Sequence, residues 1–428
     1  MNVPMFVTFL TASAGLLEDS ARHLLWYLAL FGSLTSTVFF AMVMVARRRY
    51  VRNARQVQSL VQSASLKSLP AVTILKPVHG MEPQLEATLE SFFRQDYPDF
   101  EIIFGARSRD NEALIVVERL RAKYPHVRSQ VVISGDPSWP NAKVFSLAKM
   151  MASSDNDYLV ISDSDVLVHP DFLRNVMPPL LNPKVGLVTC LYEGIPASGF
   201  WSQLEALGMS VEMPSGVMVA SMVEGGMKFA LGAAMAVRRD AIEAIGGVRN
   251  TADFYSDDFV LGHLVAEAGY TVLLSHYKVG HVLSVSSLRR TFGDQLRWMK
   301  STRYSRPWGH VGSGLTYAMP FGMLALLLGL ENPHKLYIGI GLLALAWLNR
   351  TLLAVIIGWG ILRDPRSLWL CWLYPLRDVL GFCTWVGSYT GNTFFWRGEL
   401  YQFGEEGRIA PVQRSLEFIR ERVPQAHD

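Results

Sequence analysis

The chain has 428 residues, half of them apolar, and a formal net charge of only +3. That is too apolar for one ordinary soluble domain and too charged for a pure transporter, and it gives no broad basic surface to hold nucleic acid. The three cysteines, Cys190, Cys371 and Cys383, are scattered; they make neither a disulfide framework nor a Cys-x-x-Cys metal pair, which suits a reducing compartment.

Residues 24–46 carry no formal charge and end in Arg47-Arg48-Arg49, followed by Arg52 and Arg55. About 20 apolar residues span a bilayer core as a helix. A cleaved signal would carry its positive charge before a shorter apolar stretch, so a retained signal-anchor is expected. The positive-inside rule then places the N-terminus outside and everything from Arg47 in the cytosol. Residues 56–67, rich in Ser and Gln, read as a linker.

From about residue 71 the chain alternates between strand and helix patterns. Strands are expected at 71–75, 100–106, 131–133 and 158–161, and helices at 85–93, 112–123 and 143–151. The β-α-β-α order implies a mainly parallel sheet covered by helices, with ligands bound beyond the carboxyl ends of the strands. Asp110 and Asp163 both fall just past strand ends, on that rim. No G-x-G-x-x-G or Walker-type loop is present, nor any internal repeat.

A second apolar block, about 312–392, divides into 314–330, 336–362 and 368–389. Four crossings in all would put the C-terminal tail outside, yet Arg397 and Arg408 give that tail a cytosolic character. The last segment is the suspect, because it holds Pro375, Arg377 and Asp378. Ionisable groups inside a membrane are expensive and face a partner or a cavity; the simplest expectation is that these two pair with each other or snorkel.

Asp163-Ser164-Asp165 ends a strand, where carboxylates can hold Mg²⁺ or Mn²⁺ against a diphosphate; turn-capping aspartates are the plainer alternative. His281 follows another strand-like run and could add a ligand, although a lone histidine is commonly structural. Asp257-Asp258 could supply a general base whose affinity for protons is raised by its neighbour, while Ser256-Asp257-Asp258 is also good helix-capping chemistry. Arg297-Trp298 lies among Arg289, Arg290, Lys300, Arg303 and Arg306. An interfacial amphipathic helix explains most of those cations; Arg297 could support a leaving diphosphate and Trp298 could pack under an acceptor. Residues 200–227, rich in Met, could line a greasy channel or form an ordinary core helix.

The order and spacing of these features resemble the ceramide glucosyltransferase family of membrane enzymes. Val72-Thr73-Ile74-Leu75-Lys76-Pro77-Val78-His79-Gly80 is similar to its first strand and loop. Leu89-Glu90-Ser91-Phe92-Phe93, Asp96-Tyr97-Pro98, Asn141-Ala142-Lys143, Val185-Gly186-Leu187-Val188 and Ala244-Ile245-Gly246-Gly247 follow in order. Ser91 to Pro98 and Thr189-Cys190-Leu191-Tyr192 also resemble bacterial members, including glycosyltransferases of hopanoid biosynthesis.

The resemblance implies an α/β GT-A domain, the nucleotide-diphospho-sugar transferase fold, at 70–285. Before it come a signal-anchor and basic linker at 1–69; after it come an interfacial segment at 286–311, transmembrane helices at 312–392 and a polar tail at 393–428. It implies an inverting transfer of a hexose, glucose first, from a UDP-sugar to ceramide, with Mg²⁺ or Mn²⁺, at the cytosolic face of a bacterial inner membrane. Lys76, Pro77, Asp110, Lys143 and Asp163 would hold the nucleotide-sugar. Asp165 and His281 would hold the metal, and Asp258, Arg297 and Trp298 would serve the transfer.

Two positions depart from the family pattern. Ser108 stands where an aspartate is expected, and Asp294 where the Arg-Trp motif begins with Gln or Arg. Other readings are a hopanoid-lipid N-acetylglucosaminyltransferase, a processive polysaccharide synthase, and a non-catalytic lipid-binding relative.

Overall fold

The computed structural model describes residues 3–63, 69–283, 287–396 and 399–412, with side chains from residue 19 onward. Arg397, the end of the expected linker and the chain after residue 412 lie outside them. Eight strands form one mixed sheet: β1 (Val72–Pro77), β2 (Phe100–Ala106), β3 (Arg128–Ile133), β4 (Tyr158–Ser162), β5 (Val166–Leu167), β6 (Val185–Ile195), β7 (Ala234–Arg238) and β8 (Thr271–Val282). Their order is β3-β2-β1-β4-β7-β6-β8-β5. The first four are parallel, β7 runs antiparallel to both β4 and β6, and β6 is parallel to β8. This is the GT-A architecture that the resemblance implied.

β1 is buried at all six positions, as a central strand covered on both faces must be. Two apolar layers flank it. Leu89, Phe92 and Phe93 of α2 (Leu85–Phe93) join Val116, Val117 and Leu120 of α3 (Ala113–Lys123) on one face. Val144, Leu147 and Met150 of α4 (Ala142–Met151) lie on the other. Short α5 (Phe172–Val176) and α7 (Arg239–Ala244) close the margins.

The N-terminal helix α1 runs unbroken over Val3–Ser63. The linker expected from 56 onward is therefore helical as far as Ser63. Arg and Gln are good helix formers, so the basic run that marks the membrane boundary does not end the helix. Helix α6 (Phe200–Val223) is long and apolar enough to span. A single crossing by α6 would put β6 and β7 on opposite sides of a bilayer, yet they pair in one sheet.

Beyond α8 (Asp257–Glu267) and α9 (Leu288–Ser305), helices α10 (Pro307–Gly314) and α11 (Met319–Gly329) form a pair bent by 45°. Helix α12 (Pro333–Leu353) continues as a π-turn to Trp359, making a second candidate span. After short α13 (Arg366–Trp369), helix α14 (Tyr374–Gly387) has only 14 residues, about 21 Å of helix against a core of about 30 Å. Arg377 and Asp378 do not pair with each other. Asp378 meets Arg350 at 3.1 Å and accepts from Ala318 N and Met319 N at the start of α11, while Arg377 turns to Glu212 at 3.2 Å.

The described part of the segment read as a polar tail, 393–396 and 399–412, is folded. Strands β9 (Thr393–Trp396), β10 (Glu399–Phe403) and β11 (Ile409–Pro411) form an antiparallel sheet. Its Phe394, Tyr401 and Phe403 pack on Tyr255 and Tyr304 beside α8 and α9. The tail thus lies on the same side of any membrane as the sheet, and the chain between them must cross an even number of times. The bent pair and α12 are long and apolar enough for two crossings, a number that agrees with that requirement.

Candidate active site

The site lies at the carboxyl ends of β1, β2 and β4, where neighbouring strands lead into diverging loops. Asn141 opens α4: its side-chain oxygen accepts from Lys143 N and Val144 N, at 3.0 and 3.2 Å. The same amide donates to Phe254 O at 2.9 Å and to Asp257 Oδ1 at 3.3 Å. One residue therefore caps one helix and ties it to the start of another. Lys143 then reaches Asp163 Oδ1 at 2.7 Å and Asp257 Oδ2 at 3.6 Å. Burial alone would lower the proton affinity of Lys143; Asp163, Asp257 and Asp258 outweigh it and keep the ammonium charged.

Asp257 and Asp258 are the first two residues of α8, and Ser256 does not cap that helix with its side chain. The Ser256 hydroxyl pairs with Ser301 of α9 instead, at 2.5 Å. The Ser256 side chain thus does not cap, whereas Asp257 and Asp258 stand in the first turn, where acidic groups suit a helix N-terminus, and Asp258 accepts from the Phe259 backbone. Asp258 is pushed up to about 6, first by burial and then by Asp257, against the pull of Lys143. Gly232 gives its carboxylate room, since a Cβ there would fall 2.7 Å from Asp258 Oδ2.

Lys76, expected at the nucleotide, is fully buried beneath the site. Its ammonium donates to the Asp163 carbonyl and lies 3.9 Å from the centre of the Phe92 ring. Burial pushes it down to about 7, with Asp165 and Asp163 pulling the other way. Lys76 therefore holds the aspartate loop from below, a correction that follows from β1 being central and covered on both faces.

β5 pairs with β8 so that Val166 faces His281, and Val282 N donates to Asp165 O at 2.9 Å. This register brings Asp165 Oδ2 to 3.7 Å from His281 Nε2. Asp165 Oδ1 and His281 Nδ1 are both buried without a hydrogen-bond partner. Among the described residues no three His, Cys, Asp or Glu side chains converge on one point. Two protein ligands with orphaned atoms fit a hard cation completed by substrate phosphate oxygens.

Pro77 and Lys143 line an open cleft, together with Gly105, Arg107, Ser134 and Gly135. Its far wall is Trp396, Glu399 and Tyr401 from the C-terminal sheet. Asp110 stands exposed in the turn after β2, held below the usual carboxylate range by the Ser108 hydroxyl, and is not among the acids joined by Lys143. The neighbouring Asn111 does the bridging there, accepting from Gly80 N at 3.1 Å and donating to Val78 O at 3.2 Å.

Arg297 pairs with Asp294 at 3.1 Å, and its Nε is buried without a partner. Tyr255 sits between this pair and Asp257-Asp258; burial pushes its hydroxyl up to about 12, and the charges of both groups act on it. Trp298 and Tyr192 pack on Ala206, Met209 and Leu283, and the Tyr192 ring lies 5.5 Å from His281. Sequence reasoning assigned no role to Tyr192, Tyr255 or Glu205. Tyr192 had a signal in its strand motif; Glu205, inside a greasy helix, had one only in being a carboxylate out of place.

The family model described as Glycosyl transferase family 21 matches residues 25–409. Among known proteins, the chain is similar to ceramide glucosyltransferase 1 of Caenorhabditis elegans, with 23% identity over 365 residues, covering 84% of this chain and 76% of the relative. Ceramide glucosyltransferase of Komagataella phaffii is 42% identical over 102 residues, 23% of this chain and 20% of that one. Among solved structures, a mannosyltransferase from Pyrobaculum calidifontis in complex with GDP-Man and Mn²⁺ aligns with 84% of this chain and 99% of its own, at 18% identity and a TM-score of 0.46.

Proposed function

The chain belongs to glycosyl transferase family 21 and is a glycosyltransferase; from that premise we propose that it moves a hexose from a UDP-sugar to the hydroxyl of a membrane lipid, with inversion. Glucose and ceramide are the first choices, on the strength of the similar proteins. The observation that carries the reading is the charge chain Asp163–Lys143–Asp257, with Asp258 beside it and Lys143 also lining the neighbouring cleft.

In this reading Pro77, Lys143 and Asp163 position the donor. Asp258 accepts the proton of the lipid hydroxyl as its oxygen bonds to the anomeric carbon and the bond to UDP breaks. Asp165 and His281 would hold Mg²⁺ or Mn²⁺, which when bound neutralises charge on the diphosphate. Arg297 adds a fixed cation for the leaving group, and Trp298 packs beneath the acceptor. Asp110 takes at most a minor part, at the exposed edge of the nucleotide site. The basic run after the first apolar segment favours the cytosolic face.

The test is UDP release by purified full-length protein in detergent with Mg²⁺ or Mn²⁺. UDP-glucose, UDP-galactose and UDP-N-acetylglucosamine are each paired with ceramide and with a hopanoid polyol. Acceptor-dependent release that Asp258→Asn lacks supports the reading. Equal background release by both proteins with every pair would overturn it.

A further inference from the structure

The cleft beside Lys143 has one feature that the transfer does not use. Among the described residues that line it, Glu399 is the sole carboxylate, facing Lys143, Arg107 and His79. Ser108 follows Arg107 at the end of β2, where the family pattern has an aspartate. Two carboxylates flank Arg107: Asp136, which takes its Nε and Nη2 at 3.0 and 2.9 Å, and Glu399. Of the two, Glu399 lines the cleft, and it arrives from the far end of the chain.

Its carboxylate is oriented by the sheet. The register of β9 and β10 sets Glu399 opposite Trp396, and Glu399 and Tyr401 share a face of β10. The Tyr401 hydroxyl donates to Glu399 Oε2 at 3.0 Å. Oε1 meets Arg107 Nη1 at 3.9 Å, an ion pair beyond hydrogen-bond distance. A carboxylate can accept about four hydrogen bonds, so Oε1 keeps capacity for a ligand. The sheet is fixed to the segment that leads into Asp257 and Asp258. Ile409 N donates to Asp253 O at 2.8 Å, Lys300 Nζ donates to Thr393 O at 3.1 Å, and the Trp396 ring lies 5.2 Å from that of Tyr255.

A carboxylate repels phosphate, so a cleft that held only a diphosphate would be weakened by Glu399. A carboxylate next to a flat aromatic wall fits a nucleoside instead, whose hydroxyls and base N–H donate and whose base has a face to stack. Resting on the reading that the donor is a UDP-sugar, we propose that the C-terminal sheet completes the site for its nucleoside. Glu399 Oε1 accepts a hydrogen bond from the uridine, from a ribose hydroxyl or from the base N–H, and Trp396 supplies the flat wall beside it. Lys143, shared between the cleft and the charge chain, marks where the nucleoside gives way to the diphosphate.

Calorimetric binding to the full chain in detergent with Mg²⁺ tests this. Glu399→Ala should weaken UDP about tenfold and leave inorganic pyrophosphate unchanged, a split that a merely structural role would not produce. Glu399→Gln keeps an acceptor oxygen and should recover part of the loss. The 2′- and 3′-deoxy forms of UDP, and UDP methylated on the base N–H, locate the bond: the analogue that the parent binds more weakly than UDP should bind Glu399→Ala as well as UDP does. UDP binding unchanged in Glu399→Ala, UDP and pyrophosphate weakened together, or all analogues bound by the parent like UDP would each overturn the assignment. Transfer to a lipid with UDP binding untouched by Glu399→Ala sinks this inference and leaves the transfer reading standing. A nucleoside-selective loss without transfer to any lipid does the reverse.

Discussion

The sheet rim and the helical wedge beside it are built from different materials. At the rim, the end of β4 and the starts of α4 and α8 place Asp163, Lys143 and Asp257 so that each charge has a partner within 3.6 Å. In the wedge, three helices from distant parts of the chain bury Glu205, Arg377 and Thr291. A sheet rim fixes short side chains on rigid backbone and can be fully organised before a ligand arrives. A helical wedge brings together residues that share no ladder.

The contrast can be broken at its strongest point first. Asp258→Asn should lower kcat by about a hundred- to ten-thousandfold while UDP-sugar still binds, read by product formation beside calorimetric binding. Retention of transfer within tenfold would remove Asp258 from the role of base. Next, Asp165→Ala should raise the Mg²⁺ or Mn²⁺ needed for half-maximal activity by about tenfold or more, and chelator should abolish what remains. A metal response like that of the parent would move the ion away from β5.

The pH profile sharpens the donor side. A general base works when deprotonated, and Asp258 is pushed up to about 6. kcat/KM should therefore fall as pH drops through about 6 and level off above it. Asp257→Asn removes the like charge and should move that acid limb to lower pH. An unmoved limb would assign the titration to another group.

Gly208→Ala tests the wedge by crowding Arg377. Overpacking of this kind costs about 1–3 kcal/mol, read as a lowered denaturation midpoint. The smallest effect belongs to Asp110→Asn: an exposed carboxylate outside the buried cluster is screened by solvent and should change the donor KM by less than about threefold.

The legibility of the sequence follows the same division. β1 to β4 and their helices were readable because apolar strands alternate with amphipathic runs over short distances, and Asp163, Asp165 and Asp258 sit at element ends where pattern and chemistry coincide. Lys76 was assigned to the nucleotide from the resemblance of its strand and loop, a pattern that carries no sign of burial; the covering helices show it to be buried. The Gln295–Glu205 bond joins residues 90 positions apart, and no local period announces it. The last sheet was hidden for another reason. Thr393–Trp396 and Glu399–Phe403 are short and follow a long apolar block, so they read as the end of a membrane protein rather than the return of a globular one.

That return has a consequence for how the protein is made. Trp396, Glu399 and Tyr401 wall the cleft beside Lys143 but are synthesised after every candidate membrane helix. A nascent chain that has threaded those helices still presents a cleft open on one flank. Biosynthesis thereby imposes an order: insertion first, closure of the cleft afterwards, and the last strands act as a seal that a stalled or mis-inserted chain cannot apply.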